Sequence, residues 1–165
     1  MTFIRQYQEL DAPAVGLLIK NTYGEFNLSF MPVEERAPFL GPFKFAGSSS
    51  PEHLAAIQNI IQSELVFVAE DQRQIVGVLR GRMDRLGSLF VAKSHHRRRI
   101  GRQLVEQFEY EILKRNGKII RIASTLYGIP FYLKLGYKRS TGIRNSWSFD
   151  GHGLPIQPMK KVIIP

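Results

Sequence analysis

Between Gly87 and Thr125 the hydrophobic pattern changes period twice, and this constrains the fold more than any other feature of the chain. Gly87 to Lys93 reads as a buried strand. From Ile100 to Asn116 the apolar residues Leu104, Val105, Phe108, Ile112 and Leu113 recur at helical spacing. Gly117 stands where a helix commonly closes in the left-handed conformation. Lys118 to Thr125 reads as a strand again. A strand, a crossover helix and a second strand are expected to place the two strands side by side and parallel.

Different signals surround this unit. Thr2 to Tyr7 reads as a first strand, and Asp11 with Pro13 suggests a helix start, running to about Tyr23. Residues 24–50 are broken by prolines and glycines yet carry Phe26, Phe30, Phe39, Phe43 and Phe45. A fully solvated loop would not carry so many phenylalanines, so this segment is expected to fold back over the core or a substrate. Ser50 opens a second helix with Leu54, Ile57, Ile60 and Ile61 on one face. Leu65–Ala69 and Ile75–Arg82 form an expected antiparallel hairpin. Ile129 to Leu135 is a short helix ended by Gly136, and a strand is expected near Met159 to Ile164. The expected fold is α/β (α+β): a mixed, mostly antiparallel twisted sheet with helices on both faces, in one domain spanning 1–165.

Composition excludes several classes. There is no cysteine, so disulfides, thiolate metal sites and thiol nucleophiles are ruled out, and no metal is expected. No apolar run reaches the ~20 residues of a membrane-spanning helix, and the start lacks the apolar stretch of a signal peptide. A cytoplasmic location is the expectation. The formal net charge is +9, which implies an anionic partner. Between Lys93 and Arg121 only Glu106, Glu109 and Glu111 are acidic.

The charge concentrates where the strand hands over to the helix, at His96-Arg97-Arg98-Arg99-Ile100-Gly101-Arg102. The first amides of a helix lack internal partners, and the helix dipole adds partial positive charge there. Four arginines add forked donors suited to phosphate oxygens. Like charges crowded at a helix start are unfavourable by roughly 0.3–1 kcal/mol each. A bound anion relieves that cost.

The turn resembles the acetyl-CoA pyrophosphate loop of the GNAT superfamily of N-acetyltransferases, Gln/Arg-x-x-Gly-x-Gly/Ala. His96 stands for Gln/Arg, Arg99 for the first glycine, and Gly101 matches. Ala123-Ser124-Thr125 followed by Pro130-Phe131-Tyr132-Leu133-Lys134-Leu135-Gly136-Tyr137 is similar to a second segment of that family, with Ala123 in place of the common Asn. Gln157-Pro158-Met159-Lys160-Lys161 resembles its end strand. The resemblance implies a GNAT-like acyl-CoA N-acyltransferase fold and direct acetyl transfer from acetyl-CoA to a primary amine. It implies cofactor contacts from Leu89, Phe90 and Val91, from the turn residues His96, Arg97, Arg98, Arg99, Ile100, Gly101 and Arg102, and from Ser124. A homodimer is one assembly it implies.

Acyl transfer needs a proton taken from the amine, a donor for the developing oxyanion and a proton for the leaving thiolate. Tyr132 matches the family tyrosine that protonates the thiolate. No glutamate lies near Gly87–Lys93, which leaves Asp84 as a candidate base and Glu25 as a second. Tyr23, Phe26 and Trp147 are candidates for the acceptor side. Two other readings stay open: a CoA-binding module without catalysis, and a basic nucleic-acid-binding domain. Against the last, no helix-turn-helix, zinc-finger or RNP signature accompanies the charge.

Overall fold

The computed structural model describes residues 1–165. Strands β1 (Thr2–Gln6), β2 (Leu65–Asp71), β3 (Gln74–Arg82), β4 (Arg85–Val91), β5 (Ile119–Thr125), β6 (Lys138–Arg139), β7 (Arg144–Ser148) and β8 (Gly151–Val162) form one sheet. Its order is β1-β2-β3-β4-β5-β8-β6, with β7 also paired to β8. Only β4 and β5 are parallel neighbours; every other pair is antiparallel.

The helices are α1 (Ala12–Thr22), α2 (Ala37–Leu40), α3 (Pro51–Ile61), α4 (Ile100–Lys114) and α5 (Ile129–Lys134). On one face, Leu104, Val105, Phe108 and Ile112 of α4 pack on Phe67, Leu79, Leu86, Ile120 and Ile122, with Tyr132 of α5 in the same cluster. On the other, Val15 and Ile19 of α1 and Ile57 and Ile61 of α3 pack on Val68, Val78 and Phe90. A smaller cluster joins Leu28, Phe39, Leu154 and Ile156. Phe108 is wholly buried and sits where any Cβ on Gly81 would fall, 2.5 Å away. Truncating such a side chain costs about 3–5 kcal/mol.

Several local expectations change. Asp11 does not cap α1; its carboxylate accepts from both terminal nitrogens of Arg5 and from the Gln8 amide. The residue that closes α4 in the left-handed conformation is Asn116, at φ 64°, not Gly117. Gly117 follows it and donates to Ile112 O at 2.8 Å, and a Cβ there would lie 2.3 Å from Ile112. The last strand begins at Gly151 rather than near Met159, and β7 forms a hairpin with its first half. The segment 24–50 contains α2 and a series of single turns, with Phe39 and Phe43 buried and Phe30 exposed.

Candidate functional site

The parallel pair β4–β5 is joined at only two positions, Arg85↔Arg121 and Leu86↔Ile122. The cause lies in β4. Arg80 of β3 pairs with Ser88 and Gly81 with Leu86, so Gly87 is an extra residue, a bulge. A Cβ at Gly87 would lie 3.2 Å from Arg80 O. The bulge also switches faces: Leu86 packs toward α4, whereas Phe90 packs toward α1 and α3. Beyond it β4 and β5 have no register pairs. Leu89–Val91 and Ala123–Thr125 therefore carry facing backbone edges inside the sheet that do not pair with each other. Such groups need partners, and an extended ligand with amides can supply them.

After β4 the chain makes a single turn, Lys93–His95, and reaches α4 through His96 to Arg99. Arg97 (φ 62°) and Arg99 (φ 64°) are left-handed. A left-handed residue followed by a helical one gathers successive N–H groups into an anion-binding concavity. No amide from Arg97 to Arg102 has a backbone acceptor; Gln103 is the first, on Arg99 O at 3.0 Å. Six successive donors thus stand free at the start of a helix. Arg102 is engaged by Glu106 at 2.7 Å, while Arg97, Arg98 and Arg99 form no ion pair. Gly101 has a packing reason for its size: a Cβ would lie 3.1 Å from Phe131 of α5. Ile100 is buried beneath the turn.

His96 turns inward, and its Nε2 donates to Val91 O at 2.8 Å. Its ring lies 4.9 Å from that of Phe26, which in turn lies 5.4 Å from Tyr127. Phe26 belongs to the wide turn Tyr23–Asn27 after α1. That turn spans the mouth between the two strands. Glu25 pairs with Lys93 beyond β4 at 2.7 Å, and Asn27 donates to Thr125 Oγ1 at the end of β5 at 2.7 Å. The crowding of phenylalanines signalled that this segment folds back. Asn27 and Tyr127 carried no such signal, because their contacts join residues about a hundred positions apart or none of recognisable pattern.

Tyr132 is 7% exposed, its ring edge-on to Phe131 and Tyr137. Burial pushes its phenol well above the usual tyrosine range. The hydroxyl has no protein partner, yet it is not one of the sealed, unpartnered oxygens, which are Tyr7 Oη and Ser88 Oγ. Ser124 is 3% exposed, and its hydroxyl donates to Thr125 O at 2.8 Å. A Cβ on Gly128 would meet both Ser124 Oγ and the Tyr132 ring, so Gly128 allows these two groups to sit together.

The acceptor-side candidates are divided. Tyr23 packs on Phe90 at 5.6 Å and bonds Ser148 Oγ at 2.6 Å, while Ser148 donates to Phe39 O. Burial raises the Tyr23 phenol above its usual range. Tyr23 and Phe26 thus flank the mouth. Trp147 is 65% exposed and lies against His152 across the β7–β8 hairpin. Asp84 occupies the β3–β4 loop at φ 63°, exposed, at the far end of β4 from Val91, roughly 20 Å along the strand.

A family model, the acetyltransferase (GNAT) domain, matches residues 43–163. No curated protein matches the sequence significantly. Among solved structures, the fold is similar to a GCN5-related N-acetyltransferase from Rhodopseudomonas palustris, with TM-score 0.79 and 18% identity over 99% of this chain and 96% of that one. It is also similar to a PaiA N-acetyltransferase from Thermoplasma acidophilum in complex with coenzyme A (0.72, 16%, 99% of each chain). A third is the ribosomal-protein-S18-alanine N-acetyltransferase from Escherichia coli (0.64, 20%, 99% and 94%).

Proposed function

The chain belongs to the GNAT acetyltransferase family, and on that premise we propose that it transfers an acetyl group from acetyl-CoA to a primary amine by direct attack in a ternary complex. The observation that carries this reading is the run of six unpaired amides from Arg97 to Arg102, at the mouth of two diverging parallel strands. The amides and the free guanidinium groups of Arg97, Arg98 and Arg99 suit a pyrophosphate. The backbone edges of Leu89–Val91 and Ala123–Thr125, which do not pair with each other, suit the amide-bearing arm that follows it.

Acetyl-CoA supplies the activated acyl group, and the rest falls to the chain. A backbone N–H of β4 beyond the bulge stabilises the developing oxyanion. Tyr132 Oη, protonated and without a protein partner, gives its proton to the departing sulfur and regains one from solvent. The amine's proton leaves through water to a carboxylate, for which Glu25 at the mouth is the candidate; Asp84, roughly 20 Å along β4 from Val91, lies beyond the reach of one bridging water. Glu25→Gln should lower turnover, whereas Asp84→Asn should leave it unchanged.

The test has two stages. Acetyl-CoA should raise the melting temperature, since it binds the native state. Release of free CoA over a panel of amines should then identify the acceptor class. A shift without CoA release from any amine supports a binding module instead, and no shift overturns the proposal.

A further inference from the structure

The pairing register brings together basic residues that are far apart in sequence. Arg82 of β3 pairs with Arg85 of β4, Arg85 with Arg121 of β5, Arg121 with Lys160 of β8, and Lys160 with Lys138 of β6. Directly opposed residues share a face of a sheet. Five cations therefore form one row across five adjacent strands. At about 4.8 Å per strand the row is about 19 Å long. Arg85 is half-buried and the other four are exposed.

Like charges directly opposed in a sheet are destabilising, and this row contains four such pairs in succession. None of the five residues takes part in any of the chain's ion pairs. Asp84, the acid beside Arg85, forms none either. The row lies on the α1–α3 face but beyond α3, whose last carbonyls, Ile60 O and Ile61 O, are taken by Arg80. It sits at the opposite end of β4 from the basic turn, so the two cationic surfaces are separate.

We propose that this row binds the phosphate backbone of a polynucleotide. A single line of evenly spaced cations matches a chain of evenly spaced phosphodiesters, and three of the five are arginines, whose fork suits phosphate oxygens. A lipid surface would be met by a broad field with apolar side chains at its margin. Here Val162 is the only exposed large hydrophobic residue in the five strands. Sequence motifs could not reveal this surface, because it is assembled by register alone.

The test is anisotropy of a fluorescent oligothymidylate titrated at several salt concentrations. Arg121→Gln/Lys138→Gln/Lys160→Gln should flatten the slope of log affinity against log salt by about 2, taking roughly 0.7 per phosphate on a single strand. Affinity at low salt should fall roughly tenfold or more. The exposed sites should leave the fold intact, checked by an unchanged or slightly raised melting temperature. Arg98→Gln/Arg102→Gln, in the basic turn, should keep most of the slope. The proposal is overturned if the wild type does not bind the oligonucleotide, if the triple variant keeps the wild-type slope, or if the turn variant abolishes it. It is equally overturned if polyglutamate or phosphatidylserine vesicles bind as tightly through the same three residues.

Discussion

His96 Nε2 donates to the carbonyl of Val91 at 2.8 Å, tying the arginine turn to the last residue of β4. The bond holds the proposed phosphate site in register with the open strand edge. His96→Ala leaves that carbonyl without its partner and costs about 1 kcal/mol, or roughly 2–4 °C in Tm for a chain this size. The KM for acetyl-CoA should rise, since the free turn must order on binding. An unchanged Tm and KM would mean that the bond positions nothing.

Arg99 holds a left-handed conformation that costs a non-glycine residue roughly 1 kcal/mol. Arg99→Gly removes the strain and the guanidinium together. It should melt higher than the wild type in the absence of ligand, yet bind acetyl-CoA several-fold more weakly at low salt. Arg99→Ala keeps the strain and loses the charge, so it should bind as weakly as the glycine variant without melting higher than the wild type. Tight binding by the glycine variant would show that the amides alone carry the phosphate.

Tyr132→Phe keeps the ring that packs against Phe131 and Tyr137 and removes only the hydroxyl. Acetyl-CoA affinity should stay within about twofold, while kcat falls by roughly a hundredfold, the lower end of general acid catalysis. Burial raises the phenol above its ordinary value of about 10. The wild-type kcat profile should accordingly show no alkaline loss from this group below that pH. Unaltered turnover in the phenylalanine variant removes Tyr132 from the chemistry.

Asp11 accepts from Arg5, and this bond holds its carboxyl below the usual range. A depressed folded pKa stabilises the fold above the unfolded value of about 3.9, and the stabilisation is lost as pH falls through the lower folded value. Asp11→Asn should be less stable than the wild type by about 1–2 kcal/mol near neutrality. The two stability curves should converge in acid; parallel curves down to the lowest pH would contradict the ion pair.

The β4-α4-β5 unit was legible because a buried strand and an amphipathic helix have distinct periods, and Leu104, Phe108 and Ile112 mark the helix clearly. The segment from Pro130 to Tyr137 was legible as a pattern. The opening between β4 and β5 was not, because it arises from the bulge at Gly87, which exists only relative to Arg80 and Gly81 on another strand. The β7–β8 hairpin was hidden by Pro155 and Pro158, which argue against a strand. Asp11 read as a helix cap because its attraction to Arg5 is set by how β1 meets α1. The free amides of Arg97–Arg102 follow from two left-handed arginines, a conformation the sequence would assign to glycine.

On the proposed function, the six amides from Arg97 to Arg102 hold the phosphates of acetyl-CoA. Titrating acetyl-CoA into uniformly ¹⁵N-labelled protein tests it directly. The amide resonances of Arg97 to Arg102 should undergo the largest shifts in the spectrum, saturating together with those of Leu89–Val91. If acetyl-CoA leaves those six resonances in place, or shifts the Arg85–Arg121–Lys160 row instead, the six amides do not hold its phosphates.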